Sequence, residues 1–250
     1  MAIITGGAQG IGAATARAIV REGAAVVIAD TNCVGAERIV EEIRGQGRQA
    51  LSTCTDVTNR DSLESMAETA ISRFGRIDVL IASAGVNVFS DPLQLTEEQW
   101  QECLAVDLNG VWYSIRVVLP QMLLQQTGSI VVMASCHSFQ IIPNCFPYPI
   151  AKHGVIGLVK ALGVQYADNG IRVNAIAPGY IATELAEKYW KTFPDPEAER
   201  RRICSLHPQR RIGTAEEVAM TAVFLASEEA TFINATVIQM DGGRSALYHD

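Results

Sequence analysis

Short apolar runs rich in β-branched residues alternate along this chain with longer stretches in which apolar positions recur at helical spacing. The runs Ala2–Ile4, Val26–Ala29, Ala50–Thr53, Val79–Ala82, Ile130–Met133, Arg172–Ile176 and Val237–Gln239 read as buried strands. Helical periodicity occupies the intervals, over 11–22, 35–44, 62–73, 97–125, 148–167 and 215–226. A strand covered on both faces needs no polar alternation, so apolar runs joined through helices predict an α/β, doubly wound, mostly parallel seven-stranded sheet with helices on both faces. In such sheets a ligand sits beyond the carboxyl ends of the strands. The stretch 180–209 breaks the rhythm: it contains Pro194, Pro196 and Pro208 and mixes aromatic with charged residues. A long insertion after a late strand is expected to act as a substrate lid on what reads as a single domain spanning 1–250.

Composition narrows the function classes. The formal charge of −7, with no Lys/Arg run longer than Arg200-Arg201-Arg202, argues against a nucleic-acid partner. The six cysteines (Cys33, Cys54, Cys103, Cys136, Cys145, Cys204) form no C-x-x-C pair and no metal-ligand spacing. They read as reduced thiols of a cytoplasmic protein, with no metal site. The first strand begins at residue 2, which leaves no room for a signal peptide, and no apolar run approaches membrane-spanning length. The histidines (His137, His153, His207, His249) have no ligand spacing; His137, just past Ser135, is the one expected to reach a substrate.

Two segments carry the chemistry. Thr5-Gly6-Gly7-Ala8-Gln9-Gly10-Ile11-Gly12 lies between an apolar run and a helical pattern, and a second apolar run ends at Asp30. Glycines at 6, 10 and 12 suit a tight turn whose backbone lies against a pyrophosphate, with the following helix N-terminus offering free N–H groups to the anion. A carboxylate at Asp30 can accept the adenosine ribose hydroxyls and would repel a 2′-phosphate, and no cation stands at Gln9, Thr31 or Asn32 to receive one. The cofactor expected is NAD on a Rossmann-type unit. The second segment is Tyr148-Pro149-Ile150-Ala151-Lys152, whose terminal pair shares one helix face. An adjacent ammonium favours phenolate, which lets a tyrosine serve as a base near neutral pH. Ser135, after the run Ile130–Met133, can bind the oxygen of a substrate. No Gly-x-Ser-x-Gly elbow surrounds Ser135, which disfavours a hydrolase.

In these segments and beyond them the chain resembles the short-chain dehydrogenase/reductase family almost end to end. The matching positions are the Thr5–Gly12 loop, Asp30, Asp56-Val57, Ala84-Gly85, Ser135, Tyr148, Lys152, Pro178-Gly179, Thr183 and Asp241-Gly242-Gly243. The resemblance implies that Ser135, Tyr148 and Lys152 are catalytic, and that Asp56 and Val57 hold the adenine. It implies that Ala82 and Gly85 lie along the cofactor, that Pro178, Gly179, Ile181 and Thr183 meet the nicotinamide, and that Lys152 also holds the nicotinamide ribose. It further implies a homotetramer built through the long middle helices and the C-terminal strand.

Two positions depart from the family pattern. Ala82-Ser83-Ala84-Gly85 replaces the usual Asn-Asn-Ala-Gly, and Asp107 stands where the fourth catalytic residue is an Asn whose main-chain carbonyl holds a proton-relay water. The expected activity is NAD-dependent interconversion of a secondary alcohol and a ketone. A sugar or polyol substrate is expected from the candidate lining residues His137, Gln140, Asn144, Phe146, Tyr180, Glu184 and Trp190. The competing readings are a ketoacyl-thioester or steroid reductase and, from another class, a non-catalytic NAD-binding sensor or assembly subunit.

Overall fold

The computed structural model describes residues 1–248. Seven strands, β1 (Ala2–Thr5), β2 (Val26–Asp30), β3 (Ala50–Cys54), β4 (Val79–Ala82), β5 (Gly128–Met133), β6 (Ile171–Pro178) and β7 (Val237–Met240), form one sheet in the order β7-β6-β5-β4-β1-β2-β3. Every pairing in it is parallel. The chain winds outward from β1 to β3 and then restarts at β4 on the other side of β1. The loops after β1 and β4 therefore diverge and leave a crevice at the carboxyl ends of the strands.

Successive residues of each strand point to opposite faces, so the sheet has two cores. Ile4, Ile28, Ile81, Val131 and Ile176 pack against helices α1 (Gly10–Arg21), α2 (Cys33–Gly45) and α9 (Ala215–Ala226). Ile3, Val27, Leu80, Ile130 and Val173 pack against α3 (Arg60–Phe74), α5 (Gly110–Gln125) and α6 (Tyr148–Gln165). Burial on both faces explains the uninterrupted apolar runs of the sequence.

Two expectations need correction, and the insertion holds structure that the sequence did not indicate. The periodic stretch 97–125 is not one regular helix: α4 (Glu97–Leu104) leads into a wider π-helical turn, Ala105–Asn109, before α5 resumes at Gly110. The helix axis continues through such a turn, so apolar periodicity does not reveal it; π turns cluster at functional sites. The stretch 180–209 holds two helices, α7 (Glu184–Trp190) and α8 (Pro196–Ser205), capped by the side chains of Thr183 and Asp195. They share a small core of Trp190, Ile203 and Ile212. Finally, Cys33 and Cys54 are joined as a disulfide with Cα atoms 4.9 Å apart, so only Cys103, Cys136, Cys145 and Cys204 are free thiols. Their separation in sequence carries no motif; the β2–β3 pairing sets Cys54 beside Asp30 and brings the two together. Among the described residues no helix is long and apolar enough to cross a membrane, and no group of His, Cys, Asp and Glu could hold a metal ion.

Candidate active site

A cavity of about 770 Å³ opens at the carboxyl ends of the central strands. The glycine loop forms one wall. Gly6 has φ +68°, and a Cβ there would stand 2.7 Å from the Ala84 backbone; a Cβ on Gly12 would strike the Gly6 carbonyl oxygen. Both glycines are therefore required by the packing of the loop itself. Gln9 precedes α1 without a side-chain cap, and the first turn of α1 contains no acid of its own. The Gly10 N–H instead donates to Glu184 Oε2 of α7 at 3.2 Å.

Asp30 ends β2, where Oδ2 accepts from Ala8 N (3.0 Å) and Oδ1 from Asn32 N (2.9 Å). These bonds hold the carboxylate at the cavity wall and leave lone pairs for hydroxyl donors. Asp56 is fixed similarly, Oδ1 accepting from Thr58 N and Oγ1, both at 2.8 Å. Gly6, Gln9, Gly10, Ile11, Gly12, Asp30, Asp56, Val57, Gly85, Pro178, Gly179, Ile181 and Thr183 all line the cavity. Ala82 does not. It is buried in β4 under the sheet, and Ser83 and Ala84 take its place along the wall.

Ser135, Tyr148 and Lys152 meet at the opposite end. Ser135 follows β5, and its Oγ accepts from His137 N (3.2 Å). Tyr148 opens α6 with Pro149 beside it, a position where a missing N–H costs nothing. Lys152 lies one turn further on, its Nζ 5.4 Å from the Tyr148 ring centroid and donating to Met133 O at 3.2 Å. Asp107 is fully buried in the π turn, with Oδ2 accepting from Val86 N at 3.3 Å. Its Oδ1 lies 3.0 Å from Lys152 Nζ as a charge contact, without the alignment of a hydrogen bond. The sequence did not suggest this direct side-chain ion pair.

Burial sets the acidities of this group. Burial pushes the Tyr148 phenol above its ordinary value; Lys152 opposes that, and Asp107 reinforces it. Burial also works to lower the Lys152 ammonium, and the Asp107 carboxylate together with Tyr148 outweighs it and holds the lysine charged. The Asp107 carboxyl is raised by burial against the pull of Lys152. Lys152 thus pulls the phenol down as expected, but burial and Asp107 outweigh it.

The residues proposed to meet the substrate fare unevenly. His137 lines the cavity, edge-on to Tyr148 at 5.9 Å and tilted to Phe89 at 6.3 Å. Tyr180 lines it as well. Gln140 lines it with its Nε2 donating to Ser245 O at 2.9 Å. Asn144 and Phe146 are not part of the wall, and Phe146 packs on Trp100 instead. Glu184 and Trp190 also border the cavity, Glu184 with one oxygen on Gly10 N and Trp190 only 2% exposed and packed into the small core under α7 and α8. His153 faces outward and His207 is buried against Tyr180; His249 lies outside the described residues. The sequence missed Phe89, set edge-on to Tyr148 at 5.4 Å by a short antiparallel pairing of Phe89–Ser90 with Phe146–Pro147. It also missed Ile141, Ile142, Leu185, Tyr189, Arg244 and Leu247. None of these carries a motif, and most lie on loops that only the fold brings together.

The relatives agree with this geometry. A family model described as enoyl-(acyl carrier protein) reductase matches residues 6–245. Among curated proteins, the cis-4-hydroxycyclohexanecarboxylate dehydrogenase of Sinomonas cyclohexanicum is 38% identical over 248 residues, covering 99% of this chain and 97% of the relative. A 3-oxoacyl-[acyl-carrier-protein] reductase of Thermotoga maritima is 36% identical over 241 residues, 96% of each chain. Among solved structures, levodione reductase superposes with a TM-score of 0.95 at 35% identity, covering 99% of this chain and 98% of the other. A gluconate 5-dehydrogenase from Burkholderia cenocepacia, in complex with NADP and tartrate, has a TM-score of 0.92 at 30% identity, covering 99% and 95%. The chain belongs to the short-chain dehydrogenase/reductase family. Its chemistry is that of an oxidoreductase with a nicotinamide-binding Rossmann fold.

Proposed function

We propose that this protein is an NAD-dependent dehydrogenase that interconverts a secondary alcohol and a ketone on a compact ring. The observation carrying this reading is the convergence of Ser135, Tyr148 and Lys152 at one end of a cavity whose other end presents Asp30. The tight glycine loop at the N-terminus of α1, whose own packing excludes a Cβ at Gly6 and Gly12, fits a dinucleotide pyrophosphate. Asp30 fits ribose hydroxyls, and among the described residues the cations in the cavity wall, Lys152 and Arg244, lie away from it, which supports NAD over NADP. Asp56, Val57 and Gly85 would hold the adenosine side of the cofactor, and Pro178, Gly179, Ile181 and Thr183 the nicotinamide side. When bound, the nicotinamide supplies the hydride acceptor. Tyr148 takes the hydroxyl proton, Ser135 holds the substrate oxygen as negative charge develops on it, and Lys152 stabilises the phenolate. In the reverse direction Tyr148 returns the proton to the carbonyl oxygen.

The cavity wall guides the choice of substrate. Of the seven residues that suggested a sugar or polyol, His137, Gln140, Tyr180, Glu184 and Trp190 border the cavity, with the Gln140 amide nitrogen and one Glu184 oxygen already bonded to backbone and Trp190 only 2% exposed. The surroundings are supplied by Val86, Phe89, Ile141, Ile142, Leu185, Tyr189 and Leu247. An apolar wall of this size suits a ring alcohol of mostly hydrocarbon surface, and a hydroxyl-rich ligand would leave donors and acceptors unpaired there. The names of two relatives, a hydroxycyclohexanecarboxylate dehydrogenase and levodione reductase, support the same class. The polyol reading draws on the tartrate-bound gluconate 5-dehydrogenase. The intact Ser-Tyr-Lys set disfavours a non-catalytic sensor, and Asp30 with the net charge of −7 disfavours an NADPH-dependent thioester reductase. The segment 180–209, with α7 against the cavity, is proposed as the lid.

The test is NADH formation across ring alcohols, sugars, polyols and hydroxyacyl thioesters, repeated with Tyr148→Phe. Tyr148→Phe is expected to lower turnover by about 10³-fold, within the range typical of lost proton transfer. Unchanged turnover would overturn the mechanism, and activity confined to polyols would overturn the substrate class. In a parallel titration NADH should bind more tightly than NADPH.

A further inference from the structure

The three-residue helical turn Arg244–Ala246 follows β7. It is tied to the loop after β5 by the hydrogen bond from Gln140 Nε2 to Ser245 O. Asp241 shapes it, its carboxylate accepting from Gly243 N (3.0 Å) and Ser245 N (2.8 Å), so this acid is spent on backbone donors. The turn directs Arg244 to the cavity, with the guanidinium carbon 5.1 Å from the Tyr180 ring centroid. Of the two cations in the wall, Lys152 is paired with Asp107. Arg244 has no ion-pair partner among the described residues. The other acids of the wall are committed elsewhere, Glu184 to Gly10 and Asp30 and Asp56 to the adenosine end. His137 beside it is pushed down by burial and by the charge of Arg244, which leaves the ring neutral at pH 7, with a buried Nδ1 that has no partner. A guanidinium presents a fork of N–H donors matched to the two oxygens of a carboxylate, and a partly desolvated one without an anion is an incomplete pair.

We propose that Arg244 is an anion subsite and that the substrate is a ring hydroxy acid, its carboxylate held by Arg244 while Tyr148 and Ser135 hold its alcohol oxygen. This rests on the reading of the site as a secondary-alcohol dehydrogenase. Oxidation removes the carbinol hydride and the hydroxyl proton and leaves the carboxylate untouched, so the product is the corresponding keto acid. A phosphate of the cofactor is the other anion Arg244 could meet, and the test separates the two.

The probes are cyclohexanecarboxylate and its neutral amide, cyclohexanecarboxamide, titrated into the enzyme–NADH complex by NADH fluorescence. Neither needs to be turned over, so binding is read independently of catalysis. The carboxylate is expected to bind at least tenfold more tightly than the amide. Arg244→Gln should bring that ratio to near one, and Arg244→Lys should give an intermediate ratio, since it keeps the charge and loses the fork. Thermal unfolding verifies that each variant is folded, and NADH affinity is measured alongside. Equal binding of the two probes by the unaltered enzyme, or a ratio unmoved by Arg244→Gln, overturns the proposal. Loss of NADH affinity in Arg244→Gln with the ratio preserved overturns it in favour of a phosphate contact. Failure of the dehydrogenase reading looks different: no ring alcohol would yield NADH while the carboxylate preference persisted.

Discussion

At 3.0 Å from Lys152 Nζ, Asp107 sets a buried negative charge against the ammonium on which the Tyr148 phenol depends. An amide at this position would leave the lysine charge, still favoured by Tyr148, less opposed in its pull on the phenol. The carboxylate neutralises part of that charge and itself disfavours phenolate, so both effects hold the tyrosine protonated. Asp107→Asn should therefore move the alkaline-rising limb of kcat/KM for alcohol oxidation to lower pH, by roughly one unit, equivalent to about 1.4 kcal/mol. A profile measured from pH 6 to 11 checks this; a limb that stays put or moves upward would refute the role assigned to the carboxylate. Ser135, Tyr148 and Lys152 were legible in the sequence because their chemistry lies in residue type and short spacing. The Asp107 ion pair was not, because it depends on where a π turn aims one side chain. Trp190 was legible only in part: it borders the cavity, as an aromatic in a charged stretch suggests, but the packing of α7 on α8 buries nearly all of it.

Among the elements, the strand–loop–helix unit at the start of the chain leaves least room for change. A Cβ on Gly12 would press on the Gly6 carbonyl, and a Cβ on Gly6 would press on Ala84. Gly12→Ala should lower stability by about 1–3 kcal/mol, the usual cost of overpacking. Unlike a core substitution of equal cost, it should also weaken NADH binding, because relief requires the loop to shift. Thermal unfolding with and without NADH separates the two effects. The strands were legible nearly residue by residue, since burial on both faces leaves an apolar signature that needs no partner to recognise. The helices α7 and α8 were not. They are short, mostly polar, and held by caps and three buried residues rather than by a long apolar stripe.

For the whole molecule, the outer surface carries apolar residues that one chain does not cover. Met220 and Phe224 on α9, Phe232 ahead of β7, Leu124 on α5 and Val164 on α6 are exposed. The outer edge of β7 has no strand beside it among the described residues. Exposed apolar groups next to an open edge suit association between copies. The family expectation of a homotetramer leads to a direct measurement: light scattering should give four chains per particle. Phe224→Glu combined with Phe232→Asp should reduce that number, whereas a monomeric unaltered protein would remove the basis of the expectation. The Glu184 carboxylate on the Gly10 N–H has a kinetic consequence of its own. It stands at the helix N-terminus where a pyrophosphate would seek the same donor, so one anion must leave before the other arrives. Because Glu184 opens α7, and α7 also contributes Leu185 and Tyr189 to the substrate end, that exchange re-seats part of the wall the alcohol will touch. Turnover should then follow a compulsory order, dinucleotide on first and off last, with NADH competitive against NAD and the ketone product noncompetitive against it. Replacing Glu184 with Gln should tighten dinucleotide binding and loosen that order toward random addition.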